Sequence, residues 1–277
     1  MRIFKHIFDF YINSSIHVAL AVYAFTFITL KQLNISYDRN ILSFVFFGSI
    51  TGYNFVKYFG LAKLHHRSLA NWMRVIQIFS MLSFVLMCYF ALQLETKTLI
   101  IVVTMAVITF FYATPFLPKE YFLDNTYNLR TISGLKVYVI AFVWTIVTVV
   151  LPVVNNAYPI NFDVFVMSIQ RYLFVIVLIL PFDIRDLLYD SLRLSTIPQK
   201  IGIKKTKYLG FSLLAVNFLL EFFKDDLDEE HLLSLIFITV ITFLFILFSS
   251  KERGRNYSAF WVEGLPIIWL ILILLFD

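Results

Sequence analysis

The segment Pro181-Phe-Asp-Ile-Arg-Asp-Leu-Leu-Tyr-Asp190 places three carboxylates at the end of a long apolar run. Asp183, Asp186 and Asp190 are three and four residues apart, so on a helix they lie within about 60° of one another. Three like charges on one helical stripe repel each other and are costly to remove from water. The spacing therefore predicts a cation beside them, either a bound metal ion or neighbouring basic side chains such as Arg185.

The whole chain is too apolar for a soluble domain. Of its 277 residues, 60% are hydrophobic and 15% are charged, whereas an average soluble domain has about 25% charged residues. A helix needs roughly 20 residues to cross the hydrocarbon of a bilayer, and nine runs approach that length. They cover residues 12–30, 41–59, 73–93, 98–117, 132–152, 164–182, 207–223, 231–250 and 258–276. We therefore predict an all-α membrane protein of about nine transmembrane helices, with residues 1–277 forming a single domain.

The basic residues sort by side of the membrane when the chain is given nine spans. With the N-terminus in the cytoplasm, 18 of the 23 Lys and Arg residues fall in inside segments and 5 fall outside. This asymmetry is the one that the positive-inside rule describes, and an even number of spans would scramble it. We therefore predict a multi-pass protein of a bacterial inner membrane, with a cytoplasmic N-terminus and the acidic cluster facing the cytoplasm. Since the basic residues are spread over short loops, nucleic acid is not expected as a partner.

Four polar residues within or beside the apolar runs are interpreted separately. Cys88 lies in the middle of a span, where a buried and inert thiol is expected. Gln170 and Arg171 come early in the sixth span, and both are expected at the membrane interface. Glu263 lies in the last span, either as a functional intramembrane carboxylate or as half of an interfacial ion pair with Arg255.

The residues that follow the acidic cluster extend it into a longer motif. Thr196, Pro198 and Gly202 come next, and Asp-x-x-Asp-x-x-x-Asp followed by Thr-x-Pro and Gly resembles the second aspartate motif of the UbiA superfamily of intramembrane prenyltransferases. It is especially similar to the members that prenylate naphthoate. The resemblance implies a nine-helix UbiA-like bundle that uses Mg²⁺, with all three aspartates as metal ligands and with Asp186 and Asp190 as catalytic residues.

A second match lies in the loop after the fourth span. Tyr112, Pro115 and Lys119, followed by Arg130, resemble the Tyr-x-Pro and basic loop that precede helix five in this family. The resemblance implies that Tyr112 and Arg130 bind substrate and that Lys119 is a catalytic residue that binds the diphosphate. A basic residue on the same membrane face as the acidic cluster could neutralise a phosphate group. Lys119 and Arg130 could equally be ordinary charges of an inside loop.

The first motif of the family, Asn-x-x-x-Asp-x-x-x-Asp on helix two, is matched only at its asparagine. Asn54 stands at the first position, but Tyr58 and Ala62 occupy the positions of the two aspartates. Four-residue spacing keeps the three on one helix face, so two carboxylates are missing from that face. One metal site is then lost, or its charge is supplied by another group such as Lys57. By this reasoning Asn54 and Lys57 are assigned to substrate binding.

Three functions remain open from the sequence. The leading hypothesis is Mg²⁺-dependent transfer of a prenyl group from an isoprenyl diphosphate to a lipophilic acceptor, for instance an aromatic quinone precursor, within the membrane. The second is a terpene cyclase of the same fold, which would ionise the diphosphate without a separate acceptor. The third is a membrane protein that binds or transports isoprenoids without catalysis, which the missing first motif favours.

Overall fold

The computed structural model describes residues 2–62, 71–113, 134–187, 195–225 and 228–276. Within these ranges the secondary structure is helical and contains no β-strand. Lys119, Arg130 and Asp190 lie outside the described residues, so their roles stay predictions.

Helices occupy the positions of all nine predicted spans. The elements are α1 (Arg2–Asn13), α2 (Ile16–Gln32), α3 (Arg39–Ala62), α4 (Asn71–Ala91), α5 (Thr96–Ala113), α6 (Leu135–Thr145), α7 (Leu151–Asn155), α8 (Phe162–Asp186), α9 (Ile197–Leu219), α10 (Glu229–Leu247) and α11 (Leu265–Phe276). A π-helical turn, Ile146–Val150, joins α6 to α7, and a second one, Tyr257–Val262, leads into α11. The N-terminal helix α1 is an addition that the apolar runs did not predict.

Six helical segments in the described ranges are long and apolar enough to cross a membrane. They are Met73–Ala91, Leu135–Asn155, Phe162–Asp186, Ile197–Phe223, Glu229–Leu247 and Tyr257–Phe276. Helices α1 and α2, bent by 57° relative to each other, make a seventh if the pair is one span, and Thr96–Tyr112 is a shorter apolar helix. The predicted all-α fold is confirmed, and the chain is an integral, multi-pass membrane protein.

Aromatic side chains fill the centre of the bundle. Phe25 on α2 and Phe174 on α8 are fully buried. The Phe25 ring packs edge-on against Trp144 at 6.0 Å and Trp269 at 6.1 Å between centroids, and Phe174 lies 5.3 Å from Trp269. Edge-to-face pairs at this separation are favourable beyond the area that they bury, and they hold α2, α6, α8 and α11 together.

Helix α4 lies at the periphery of the bundle and packs chiefly on α3. Ile78, Met81 and Val85 are exposed on its outer face, as is usual for side chains that contact lipid. Cys88 is exposed as well, so the prediction of a buried thiol was wrong. Apolar neighbours in the sequence surround a lipid-facing residue as readily as a core residue.

Arg171 lies deep inside the bundle, so the interfacial position expected for it was wrong. The side chain is 2% exposed and donates hydrogen bonds to the Phe25 carbonyl at 2.8 Å, to Thr148 Oγ1 at 3.2 Å and to Thr29 Oγ1 at 3.4 Å. Its guanidinium carbon lies 4.1 Å from the centroid of the Phe25 ring. These oxygens and the ring face compensate for the water that the charge has lost. Gln170 is also buried, since α8 begins roughly two turns before it.

Gly210 on α9 marks a close helix crossing that a substitution can test. A Cβ atom at this position would lie 3.1 Å from Leu180 Cδ1 and 3.2 Å from Ile246 Cδ1. We expect Gly210→Leu to lower the free energy of unfolding by about 1–3 kcal/mol, because the larger side chain overpacks the contact with α8 and α10. Thermal unfolding in detergent measures the effect. Gly52→Leu is the control, since no heavy atom lies within 4 Å of a Cβ there, and equal losses in both variants would contradict the prediction.

Candidate active site

The described part of the acidic cluster lies in the last turn of α8, where each carboxylate faces a basic side chain. Asp183 is fully buried, and Lys136 Nζ at the start of α6 lies 3.4 Å from its Oδ1. Asp186 accepts two hydrogen bonds from Arg185, from Nε at 2.7 Å and from Nη2 at 2.9 Å. Among the described residues, the cations beside the acidic stripe are Lys136 and Arg185, as in the ion-pair alternative that the spacing left open.

Arg185 also connects the end of α8 to the last span. Its Nη1 donates to Ser258 Oγ at 2.5 Å and to the Arg255 carbonyl at 3.3 Å. Ser258 is part of the π-helical turn that precedes α11, and such turns occur frequently at functional sites. The bidentate bond to Asp186 and the bonds to Ser258 fix the Arg185 side chain, so Arg185 positions Asp186. From the sequence, Arg185 was expected only as a positive charge beside the aspartates.

The segments that lead into α6 and α9 meet beside this acidic end. Gly134 precedes α6 with φ 75°, and a Cβ atom on it would lie 3.5 Å from Lys200 Nζ. Thr196 is the N-cap residue of α9, and its backbone N–H donates to Gln199 Oε1 at 3.0 Å. Gly202 interrupts α9 with φ 80°. The Thr-x-Pro and Gly residues of the motif thus shape the start of α9 and bring Lys200 to the N-terminus of α6.

Asn54 on α3 is engaged entirely by protein groups. Its Oδ1 accepts from Ser15 Oγ at 2.8 Å, and its Nδ2 donates to the Ser14 carbonyl at 3.0 Å and to Ser80 Oγ at 2.8 Å. The side chain is 3% exposed. Asn54 therefore joins the break between α1 and α2 to α3 and α4, and its predicted role in substrate binding stays a prediction.

Lys57 and Tyr58 reach the same break from the next turn of α3. Lys57 Nζ lies 3.2 Å from Ser15 Oγ and 3.5 Å from the Ile12 carbonyl, and the side chain remains exposed. The Tyr58 hydroxyl donates to the Asn13 carbonyl at 2.9 Å. The position of the family's first aspartate is thus taken by a side chain that stabilises the end of α1.

Three aromatic residues, one each from α3, α5 and α6, lie close to one another. Trp144 Nε1 on α6 donates to the Tyr53 hydroxyl on α3 at 2.7 Å, and the two rings meet edge-on with centroids 6.4 Å apart. Tyr112, near the end of α5, is buried and interacts electrostatically with Tyr53. The structure therefore places the predicted substrate-binding residue Tyr112 beside this pair. Tyr53 was not expected from the sequence, although it directly precedes Asn54 of the first motif.

Glu263 lies at the point where α3, α8 and the last span converge. It interacts electrostatically with Lys57, with Arg185 and with Arg255. The sequence left open whether Glu263 is a functional carboxylate or an interfacial ion-pair partner of Arg255. The structure adds two further cations to its surroundings and makes it part of the candidate site.

The site has an α8 side, at the acidic end of that helix, and an α3 side, around Asn54. The two sides differ in how well they fit a divalent metal ion. The described ranges contain no group of three or more His, Cys, Asp or Glu side chains that could hold a metal. In diphosphate sites, however, Mg²⁺ commonly takes one or two carboxylates and completes its shell with phosphate oxygens and water. The α8 side fits this pattern with Asp183 and Asp186, which already attract two cations. The α3 side does not fit, since it presents Asn54, Lys57 and Tyr58 and no carboxylate.

Comparison with known proteins identifies the fold. No family model matches the sequence, and no curated protein matches it. Among solved structures, the chain is similar to that of a digeranylgeranylglyceryl phosphate synthase in membranes, with a TM-score of 0.56 and 16% sequence identity. The alignment covers 98% of this chain and 97% of that chain. The chain therefore shares the helical fold of that synthase over nearly its whole length.

Proposed function

We propose that this protein is a UbiA-type prenyltransferase, which transfers a prenyl group from an isoprenyl diphosphate to a lipophilic acceptor within the membrane. The observation that carries the proposal is the meeting of opposite charges at one end of the bundle, where Asp183 and Asp186 lie beside Lys136 and Arg185. The fold supports it, because the similar solved structure is that of a prenyl-lipid synthase.

The reaction needs a place where negative charge can develop on a leaving diphosphate. The bond between C1 of the prenyl chain and the diphosphate oxygen breaks, and its electron pair goes to the diphosphate. When bound, Mg²⁺ would neutralise part of that charge, and Asp183 and Asp186, with Asp190 as a further expected ligand, would hold it. Lys136 contributes a fixed positive charge to the same place. Lys119 and Arg130 are proposed to contact the diphosphate from the loop that precedes α6.

The prenyl carbocation needs an apolar environment with aromatic faces. Ring faces attract cations, more strongly when water is excluded, and Tyr53, Tyr112 and Trp144 provide such faces next to the charged end of the bundle. A nucleophilic atom of the acceptor then bonds to C1, and the acceptor releases a proton. The acceptor class remains a choice between an aromatic quinone precursor and a prenylated glycerol phosphate, the latter suggested by the name of the similar structure.

Incubation of the purified protein with Mg²⁺ and prenyl diphosphates of several lengths tests the proposal. We expect release of diphosphate only when an acceptor is present, with a prenylated acceptor as the product, and we expect chelation of divalent ions to abolish it. Mass spectrometry identifies the product. Release without acceptor, together with a cyclised hydrocarbon, would indicate the terpene cyclase instead. Absence of release with every donor and acceptor would reject both enzymes and favour a binding or transport protein.

A further inference from the structure

The break between α1 and α2 presents hydrogen-bond donors beside α3. Ser15, the N-cap residue of α2, has φ 64°, and its side chain does not cap the helix because it donates to Asn54. Backbone N–H groups at such a helix start carry partial positive charge, and broken membrane helices use them to bind anionic groups. Ser14 Oγ is also fully buried, and it has no hydrogen-bond partner among the described residues. The start of α2 and a buried hydroxyl without a described hydrogen-bond partner therefore lie together at this break.

Two cationic side chains from different segments reach the same break, and a third lies next to one of them. Lys57 on α3 reaches Ser15 Oγ at 3.2 Å, and Arg255 Nη2 donates to Asn13 Oδ1 at 2.6 Å. Lys57 and Arg255 interact electrostatically with each other, and Arg185 bonds the Arg255 carbonyl. Lys57 and Arg255 are both exposed, so a ligand can reach them.

The charges around the break do not balance. Lys57, Arg185 and Arg255 are all near enough to Glu263 to act on it electrostatically, and Arg185 is also paired with Asp186. Among the described residues of this group, three cations thus stand beside two carboxylates, and the N-terminus of α2 adds partial positive charge. Like charges held close together repel each other unless an anion joins them.

We infer that the α3 side of the active site binds phosphate through Lys57, Arg255 and Arg185 instead of through a metal ion. This inference rests on the proposed function, since the ligand is taken to be the diphosphate of the prenyl donor. Two phosphate groups can bridge the two sides of the site, because Arg185 bonds both Asp186 on α8 and the segment that carries Arg255. The α3 positions that would hold a metal in the family carry Tyr58 and Ala62, and the positive charge stands next to them on Lys57.

Binding of inorganic pyrophosphate in the presence of a chelator tests the inference by isothermal titration calorimetry. We expect the full-length protein to bind pyrophosphate without divalent ions. Lys57→Met and Arg255→Leu should each weaken this binding about 10-fold to 100-fold, because each removes a charge-assisted contact. Lys57→Arg, which keeps the charge, should retain most of the affinity and so separates loss of binding from loss of folding. Lys97→Met is the control, because Lys97 is exposed at the start of α5, outside the charged group described above.

The number of bound metal ions gives an independent measurement. With a non-reactive prenyl thiolodiphosphate, electron paramagnetic resonance of Mn²⁺ should count one ion per chain. Asp186→Asn should lower Mn²⁺ binding and leave the metal-free binding of pyrophosphate in place. A count of two ions per chain would overturn the inference, and so would pyrophosphate binding that requires a metal or that is unchanged in both Lys57→Met and Arg255→Leu.

Two further results distinguish this inference from a lipid-phosphate site and from the proposed function. Displacement of pyrophosphate by phosphatidic acid in nanodiscs, but not by a prenyl diphosphate, would assign the site to a lipid phosphate and overturn the assignment to the donor. Metal-free, Lys57-dependent binding in a protein that never turns over would support the inference and reject the proposed function. Turnover in a protein whose metal-free pyrophosphate binding does not depend on Lys57 would support the proposed function and overturn this inference.

Discussion

Asp186→Asn is expected to lower the rate of prenyl transfer by about 10²-fold to 10³-fold, which is typical for the loss of one electrostatic contact to a developing charge. The substitution removes the carboxylate charge that is proposed to hold Mg²⁺ and leaves a side chain of nearly the same shape. Arg185 keeps its bonds to Ser258 and to the Arg255 carbonyl, so the end of α8 should stay docked on the last span. Product formation at saturating donor concentration measures the change.

A matched substitution at the start of α10 controls for the loss of a surface carboxylate. Asp228 caps α10 through bonds from the backbone N–H groups of Glu230 and His231, and asparagine caps helices equally well. Asp228→Asn should therefore leave both the rate and the folding unchanged. A wild-type rate in Asp186→Asn, with normal gel filtration, would exclude Asp186 from the chemistry.

Arg171→Glu is expected to lower the free energy of unfolding by about 3–5 kcal/mol, the range found when a buried charge loses its compensating partners. The guanidinium of Arg171 is matched to the Phe25 carbonyl and the hydroxyls of Thr29 and Thr148. A carboxylate at the same place would face a carbonyl oxygen and the negative face of the Phe25 ring. The midpoint of thermal unfolding in detergent measures the loss.

The lysine variant at the same position provides the comparison. Arg171→Lys keeps the positive charge but cannot span all three oxygens with a planar fork, so its loss of stability should be smaller than that of Arg171→Glu. An interfacial residue would tolerate both changes within about 0.5 kcal/mol. Unfolding of Arg171→Glu at the wild-type midpoint would therefore contradict the buried position.

The sequence determined where the helices are. Backbone polar groups cannot remain unbonded in hydrocarbon, so an apolar run of sufficient length is forced to be helical, and each of the nine runs carries a helix in the structure. The spacing of Asp183 and Asp186 likewise predicted a shared helical stripe and a nearby cation, because helical periodicity is a local property of the chain. The flanking Thr196, Pro198 and Gly202 extended that stripe into the longer pattern that resembles the second aspartate motif.

The tertiary structure alone decided which faces of those helices meet. Lys136 and Asp183 are 47 residues apart in the chain, and no periodicity pairs them. Hydropathy gave Cys88 the wrong surroundings, because lipid and protein interior are both apolar and only packing tells them apart. Arg171 was expected at the interface because its charge is costly to bury, and only the structure shows the oxygens that compensate it. The acidic end of α8 and its neighbouring cation Arg185 were thus determined by sequence, whereas Lys136 and the cations at the α1–α2 break came from contacts between distant segments.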